Sequence, residues 1–372
     1  MKLPERNTLG VITCKSKGMP PFLETTYFQQ LSHEGLRMGL PVIVFSPMDV
    51  DWKQRKVSAW HWQPKRRAWT AGTHPLPSLI YDRCYYTNSR HYTRYKPYVE
   101  RLAQDPDVHL LGRPLGGKWS TYQLLEPNPS IRPHLPPTSK LVSSRDLEQA
   151  LDHYGSILIK PNGGSHGRGV IALVPFDHGY NIRGRTLRNQ PLHFSLPTRT
   201  KIISWVQEIT ANTRYIIQPY LSLVTADDRP FDIRILVQKN GSGMWETTGS
   251  AVRTGKLHSL TSNLHGGGKA ERTLSFLQQH FSENTTTRIT HTIESLSTMV
   301  PRQIEREHGR LVELGLDIGV DRSNRVWLLE VNSKPGRSVF LLTGEKEQRR
   351  QSVLLPVQYA RSFFFGPTGG SV

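Results

Sequence analysis

Apolar positions in the first third of the chain fall into short unbroken runs separated by one stretch of helical spacing. Leu9-Gly10-Val11-Ile12-Thr13 and residues 40–45 are runs of strand length. Between them, residues 24–38 place Tyr27, Leu31 and Leu36 at helical spacing, and Gly39 follows as a stop. Strand, helix, strand in that order predicts a parallel pair. Trp60, Trp62 and Trp69 flank the turn Pro64-Lys65-Arg66-Arg67, which predicts a hairpin. A strand is expected over 78–82 and a helix over 98–104. The pattern predicts a small α/β unit over residues 1–115.

The texture then changes. Glycines at 112–117 mark a boundary before a helix that starts near Lys118, and residues 127–137 are proline-rich linkage. A short helix is expected over 146–153. Strand-like runs that end in polar or glycine residues recur at 157–160, 215–218, 233–237 and 326–332. Between 288 and 308, Ile289, Ile293, Leu296 and Val300 form one stripe, predicting a long amphipathic helix. A docking helix is expected over 353–359, with Pro356 kinking it or lying near its start. There is no internal repeat. Residues 116–365 read as one α+β unit, followed by a flexible tail, 366–372.

Composition narrows the class. The 372 residues carry 48 Lys+Arg against 30 Asp+Glu, a net charge of +18, with 36% hydrophobic and 21% charged residues. That is globular rather than disordered composition. No apolar run approaches the ~18 residues of a membrane span, and the N-terminus has no secretory apolar region. Cys14 and Cys84 alone make neither a disulfide scaffold nor a zinc site. A cytoplasmic setting with no membrane partner is the expectation. The basic residues are dispersed, densest at 53–56, 65–67 and 183–188, and no nucleic-acid-binding motif accompanies them. A solvated basic surface is therefore the reading preferred over nucleic-acid binding, and the charge also suits a protein that handles anionic ligands such as nucleotide phosphates.

Four stretches carry chemistry. Gly112-Arg113-Pro114-Leu115-Gly116-Gly117-Lys118 has the glycine and lysine spacing of a P-loop, but Trp119 stands where its hydroxyl residue belongs and no strong strand leads in. Residues 157–171 read as strand, glycine-rich turn and strand. There Lys160 can reach phosphate, and Gly163, Gly164, Ser165 and Gly167 can form an anion nest. Alone, the same pattern fits an ordinary glycine-rich hairpin. In the third stretch, a four-residue loop over 322–325 would pair Asp321 with Val326 and so set Asp317 opposite Glu330, with Asn332 on the same face as Glu330. These oxygens suit Mg²⁺, and two opposed carboxylates without a cation would repel. Finally, Asp232 and Arg234 share a strand face, while Arg253 and a glycine-rich loop containing Asn263 follow. Singly, each is more often a salt bridge or a turn.

In this order the pieces resemble the ATP-grasp superfamily, the fold of carboxylate–amine ligases. Lys118-Trp119, Leu135-Pro136-Pro137-Thr138, Lys160-Pro161-Asn162-Gly163-Gly164-Ser165 and Leu329-Glu330-Val331-Asn332-Ser333-Lys334-Pro335-Gly336 look like the YheC/YheD family, which is associated with bacterial endospore coats. The resemblance implies an ATP-grasp fold of two α+β lobes preceded by a small α/β domain. It implies that Lys118 and Lys160 hold nucleotide phosphates under a flexible loop containing Gly163, Gly164, Ser165 and Gly167. Gln218, Tyr220 and Leu221 match the hinge, where backbone groups of Gln218 and Leu221 would read the adenine edge. Asp317, Glu330 and Asn332 match magnesium ligands, and Arg253 and Asn263 match positions facing the transferred phosphate and acyl substrate. The hinge lacks an obvious acidic partner for the ribose, Asp227 and Asp228 being nearest. The implied ligands are ATP, Mg²⁺, a carboxylate and an amine acceptor, joined through an acyl phosphate. The alternative is a non-catalytic structural or interaction protein of the spore coat that keeps the fold.

Overall fold

The computed structural model describes residues 7–164, 167–256, 260 and 268–367. Its first sheet is built from β1 (Leu9–Ile12), β2 (Val42–Phe45), β3 (Val50–Asp51), β4 (Lys56–Gln63), β5 (Ala68–Pro75), β6 (Leu79–Asp82) and β7 (His109–Leu111). The order is β3-β4-β2-β1-β6-β7, with β5 paired to β4. β1 runs parallel to both β2 and β6, and β6 parallel to β7. Every residue of β1, β2 and β6 is buried, as expected for parallel strands covered on both faces. α1 (Thr25–Arg37) makes the first crossover and ends at Gly39, whose φ of 71° suits glycine. The tryptophan hairpin is present, with Trp62 opposite Trp69. α2 (Ser89–Gln104) begins well before the predicted 98–104. The Asn88 side chain caps it through the His91 N–H, and Tyr95, Val99 and Leu102 bury a stripe across Pro97.

The second sheet has the order β12-β11-β10-β9-β13-β8. Its strands are β8 (Ser139–Leu141), β9 (Ile157–Pro161), β10 (Ile171–Phe176), β11 (Gly179–Arg185), β12 (Pro191–Leu196) and β13 (Tyr215–Pro219). α3 (Lys118–Leu125) precedes it, and α4 (Ser144–Tyr154) and α5 (Arg199–Thr210) cover one face, with Leu147, Ile202 and Val206 packed on Ile157, Ile159 and Leu173. α4 starts at a capping box between Ser143 and Asp146. The sequence pattern did not predict the β11–β12 hairpin or α5.

The third sheet, β16-β15-β14-β17-β18, comprises β14 (Phe231–Lys239), β15 (Trp245–Thr254), β16 (Lys269–Arg272), β17 (Glu313–Val320) and β18 (Val326–Asn332). α6 (Thr273–His280) and α7 (Glu283–His308) lie against it. The predicted stripe of α7, Ile289, Ile293, Leu296 and Val300, is buried against Ile233, Ile235, Leu316 and Ile318. After the short α8 (Val339–Leu342), α9 (Lys346–Phe365) returns to the first sheet, where Val353, Val357 and Ala360 join the core of Leu9, Val11 and Leu31. It is longer than predicted, and Pro356 lies in its interior rather than near its start.

Candidate active site

One cleft opens between the second and third sheets. Alternation along the strands decides what faces it. On β9 and β13, Ile157, Ile159, Tyr215 and Ile217 point to the helix-covered core. Lys160, Ile216 and Gln218 therefore point the other way, and all three line the cleft, with Ile216 opposite Lys160. Lys118 and Tyr122 of α3, Thr138, Gly163 and Gly164 complete one wall. Leu328, Glu330 and Asn332 of β18 form the other.

Asp317 does stand opposite Glu330, by a route the sequence did not predict. The turn pairs Val320, not Asp321, with Val326, so it is one residue longer than the four expected. A bulge between Asp317 and Ile318 then shifts the register back. Asp321 organises the turn: Oδ1 accepts from Ser323 N–H (2.9 Å) and Arg325 N–H (3.0 Å), and Oδ2 from Trp327 Nε1–H (2.8 Å).

The expected repulsion between Asp317 and Glu330 is absent because the protein supplies its own cations. Arg234 Nη2 donates to Asp317 Oδ2 (3.0 Å) and Arg253 Nη2 to Oδ1 (3.1 Å). Arg253 also grips Asp232 through Nε (2.6 Å) and Nη2 (2.7 Å). Lys118 Nζ lies 3.4 Å from Glu330 Oε1 and donates to the Gly164 carbonyl at 3.1 Å. Lys160 has no hydrogen-bond or ion-pair partner among the described residues. Burial pushes its pKa down to about 8; Glu330 and Asp317 oppose that effect and Lys118 adds to it.

Lys118, Lys160, Gly163, Gly164, Gln218, Glu330 and Asn332 are thus brought together at the cleft. Gly167, Tyr220, Leu221, Asp317 and Arg253 are not among its lining residues. Ser165 and Asn263 lie outside the described residues. Backbone groups at the connection to the third sheet are partly spoken for: Tyr220 N–H donates to the Ser156 carbonyl and Leu223 N–H to the Leu221 carbonyl. Asp227 is engaged by Arg229 and Thr225, and Asp228 pairs with Arg322; neither carboxylate lines the cleft.

The oxygen donors Glu330 and Asn332 suit a hard divalent cation, and Asp317 shares their sheet face. Asp317 is held by both arginines. Among the described residues no three His, Cys, Asp or Glu side chains form a metal-holding group, so a cation placed here would have two carboxylates and an amide to hold it.

Asn162 was missed as a functional residue although it lies inside the glycine-rich stretch. Its carbonyl accepts from Lys118 N–H (2.8 Å) and its Oδ1 from Trp119 N–H (2.8 Å), capping α3 from outside the helix. A Cβ at Gly117 would stand 2.4 Å from the Asn162 amide, which explains that glycine. β7 does lead into residues 112–117, against expectation. Yet Asn162 occupies N–H groups that a P-loop would offer to phosphate. Thr138 has a similar supporting part, accepting from Gln218 Nε2 at 2.8 Å.

Comparison with known proteins agrees with this architecture. A family model described as YheC/D like ATP-grasp matches residues 107–363. The chain is 30% identical over 349 residues to the endospore coat-associated protein YheC of Bacillus subtilis (strain 168), covering 92% of this chain and 93% of that one. It is 25% identical to YheD of the same organism, over 86% of this chain and 70% of that one. Among solved structures, a D-cycloserine synthetase superposes with a TM-score of 0.56 at 13% identity, covering 95% of this chain and 100% of the other. At that identity the likeness speaks for the fold alone. No helix among the described residues is long and apolar enough to cross a membrane. With the family match spanning the glycine-rich loop, the cleft and both lysines, this chain belongs to the YheC/D-like ATP-grasp family.

Proposed function

We propose that the cleft binds Mg·ATP and that the protein is an ATP-dependent carboxylate–amine ligase. The observation that carries this reading is the convergence of Lys118 from α3 and Lys160 from the second sheet with Glu330 and Asn332 from the third. Lys118 and Lys160 neutralise phosphate charge, and Gly163 and Gly164 allow close backbone approach. Glu330 and Asn332, with Asp317, would hold Mg²⁺, which when bound supplies charge neutralisation at the phosphates. A substrate carboxylate attacks the γ-phosphorus of ATP, releasing ADP and forming an acyl phosphate. An amine then displaces phosphate. Such chemistry depends on positioning and electrostatics and requires no covalent nucleophile from the protein. Arg253, fixed by Asp232 and Asp317, is assigned to the transferred phosphoryl group. In this reading residues 1–115 form a leading domain and 116–365 the catalytic one.

Calorimetric titration with Mg·ATP, together with ADP and phosphate release across carboxylate–amine pairs, tests it. Saturable binding with release only when both substrates are present is the expected result. Folded protein that binds no Mg·ATP overturns it. The two guanidinium groups on Asp317 favour a second reading, nucleotide binding without turnover in a coat-associated interaction protein. Binding without ADP formation, and with recovery in purified coat fractions, would select it.

A further inference from the structure

The face of the second sheet that lines the cleft does not end there. Gln218, Leu158, Ala172, Arg183 and His193 form one continuous register row across β13, β9, β10, β11 and β12. Directly paired residues share a face, so Arg183 and His193 point to the same side as Gln218 and Lys160. Arg185 and Asn181 flank Arg183 on that face, and Ser195 lies opposite Asn181. No Asp or Glu occupies these positions. Arg185 is steered by Asn189, which accepts its Nη1–H at 3.0 Å through the carbonyl. The Arg183 side chain is half-buried and makes no hydrogen bond or ion pair with any described residue.

A guanidinium on this face with no protein counter-charge leaves its donors free for an anionic ligand. Arg183 and Arg185, two apart on one strand, stand about 7 Å apart, the spacing at which alternate side chains repeat along an extended peptide. Lys160 and Arg185 are separated by two strand spacings, about 10 Å. The rings on this face are His193, opposite Arg183, and the exposed Phe176 at the end of β10. The hairpin's Tyr180 and Phe194 point into the opposite core, where Phe194 meets Trp205 edge-on. We infer that the β10–β12 half of this face seats an extended acidic peptide segment, one of whose carboxylates is the acyl substrate delivered to the cleft. This assignment of substrate class rests on the ligase reading above.

The test is fluorescence anisotropy with a labelled octapeptide of alternating Glu and Ser, at physiological salt. The chain's net charge makes a control necessary. Arg183→Ala with Arg185→Ala should weaken binding about tenfold, as expected for two ion pairs within the exposed range. Arg66→Ala with Arg67→Ala, an equal loss of charge on the distant β4–β5 turn, should change it by less than about twofold. No binding by the wild type, or equal loss in both double variants, overturns the seat. So does a single-stranded oligonucleotide of equal charge that binds through Arg183 and Arg185 more tightly than the peptide. Mg·ATP titration of the same wild-type preparation separates the two assignments. Mg·ATP binding without peptide binding removes the seat and leaves the ligase reading. Peptide binding through both arginines without Mg·ATP binding keeps the seat and removes the ligase reading.

Discussion

Lys118 Nζ and Glu330 Oε1 lie 3.4 Å apart across the cleft, so the lysine assigned to phosphate and the carboxylate assigned to the cation neutralise one another. Each side chain retains some exposure, 16% and 29%, which limits what the pair adds to stability to about 1 kcal/mol or less. The pair is therefore easily exchanged for stronger ligands. In the proposed reading, a phosphate would take the lysine and a divalent ion the carboxylate.

Glu330→Gln keeps the shape of that carboxylate and removes its charge. Mg·ATP affinity should fall at least about tenfold, the loss of a charge-assisted contact, while the melting temperature without nucleotide moves by no more than about 2 °C. Calorimetry and thermal melts on one preparation check both. Unchanged affinity would remove Glu330 from the site.

Lys160 gives a pH signature. Its pKa, lowered to about 8 by burial, means that the ammonium is lost from the folded protein before it is lost from the unfolded chain near about 10.4. The unfolded state binds more protons between those values, so this residue makes stability rise with pH across that window. Phosphate affinity runs the opposite way, because the neutral amine no longer attracts anions. Mg·ATP should bind more weakly as pH rises above about 8. Binding at pH near 8.5 should take up protons, seen as a dependence of calorimetric heat on buffer ionisation enthalpy. Lys160→Met should abolish both effects.

Glu313 tests what joins the first sheet to the rest. Its carboxylate, 1% exposed, accepts from Arg83 Nη1 (2.7 Å), from Tyr81 Oη (2.5 Å) and from Gln238 Nε2 (2.8 Å), and pairs with Arg337. Burial pushes its pKa up, but Arg337 and Arg83 outweigh burial and hold it below the usual value. Glu313→Gln leaves the buried Arg337 without a carboxylate partner and Arg83 with Glu24 alone, and should cost about 3–5 kcal/mol in urea unfolding at neutral pH. The contribution of a depressed carboxyl is present above its unfolded pKa, about 4.3, and is lost as pH falls through the folded value. The gap between wild type and variant should therefore close in acid.

Much of this was legible in the sequence where one signal dominated. The buried runs of β1, β2 and β6 and the stripe Ile289, Ile293, Leu296 and Val300 are set by hydrophobic periodicity, which tertiary context reinforces. Glu330 and Asn332 follow from strand alternation alone. Other features depended on partners remote in sequence. Asn162 caps a helix 43 residues before it, and Arg234 and Arg253 reach Asp317 from 83 and 64 residues away. The β11–β12 hairpin, though not predicted, does carry a local mark, since Tyr180 and Ile182 on one strand and Leu192, Phe194 and Leu196 on the other alternate with polar residues and face the core. The bulge that rescues the Asp317–Glu330 register has no local sequence mark beyond the length of the turn.

Two aspartates on β17 and its turn, four residues apart, separate structure from chemistry. Asp321 accepts four protein donors around the 321–325 turn and does not line the cleft. Asp321→Ala strands the Trp327 indole N–H and two backbone N–H groups, so it should lower stability by about 1–2 kcal/mol while ADP formation per folded molecule stays unchanged. Asp317 holds Arg234 and Arg253 on the cleft face of the third sheet. Asp317→Asn retains one acceptor oxygen but removes the charge that fixes Arg253, which then answers to Asp232 alone. ADP formation should fall at least about a hundredfold, the scale seen when one electrostatic contact to a developing charge is lost. Mg·ATP affinity should fall much less, because Lys118, Lys160, Glu330 and Asn332 remain. Rates and affinities measured on both variants decide the roles. If Asp321→Ala lowers the rate per folded molecule as far as Asp317→Asn does, the arginine-bearing face plays no special part in turnover.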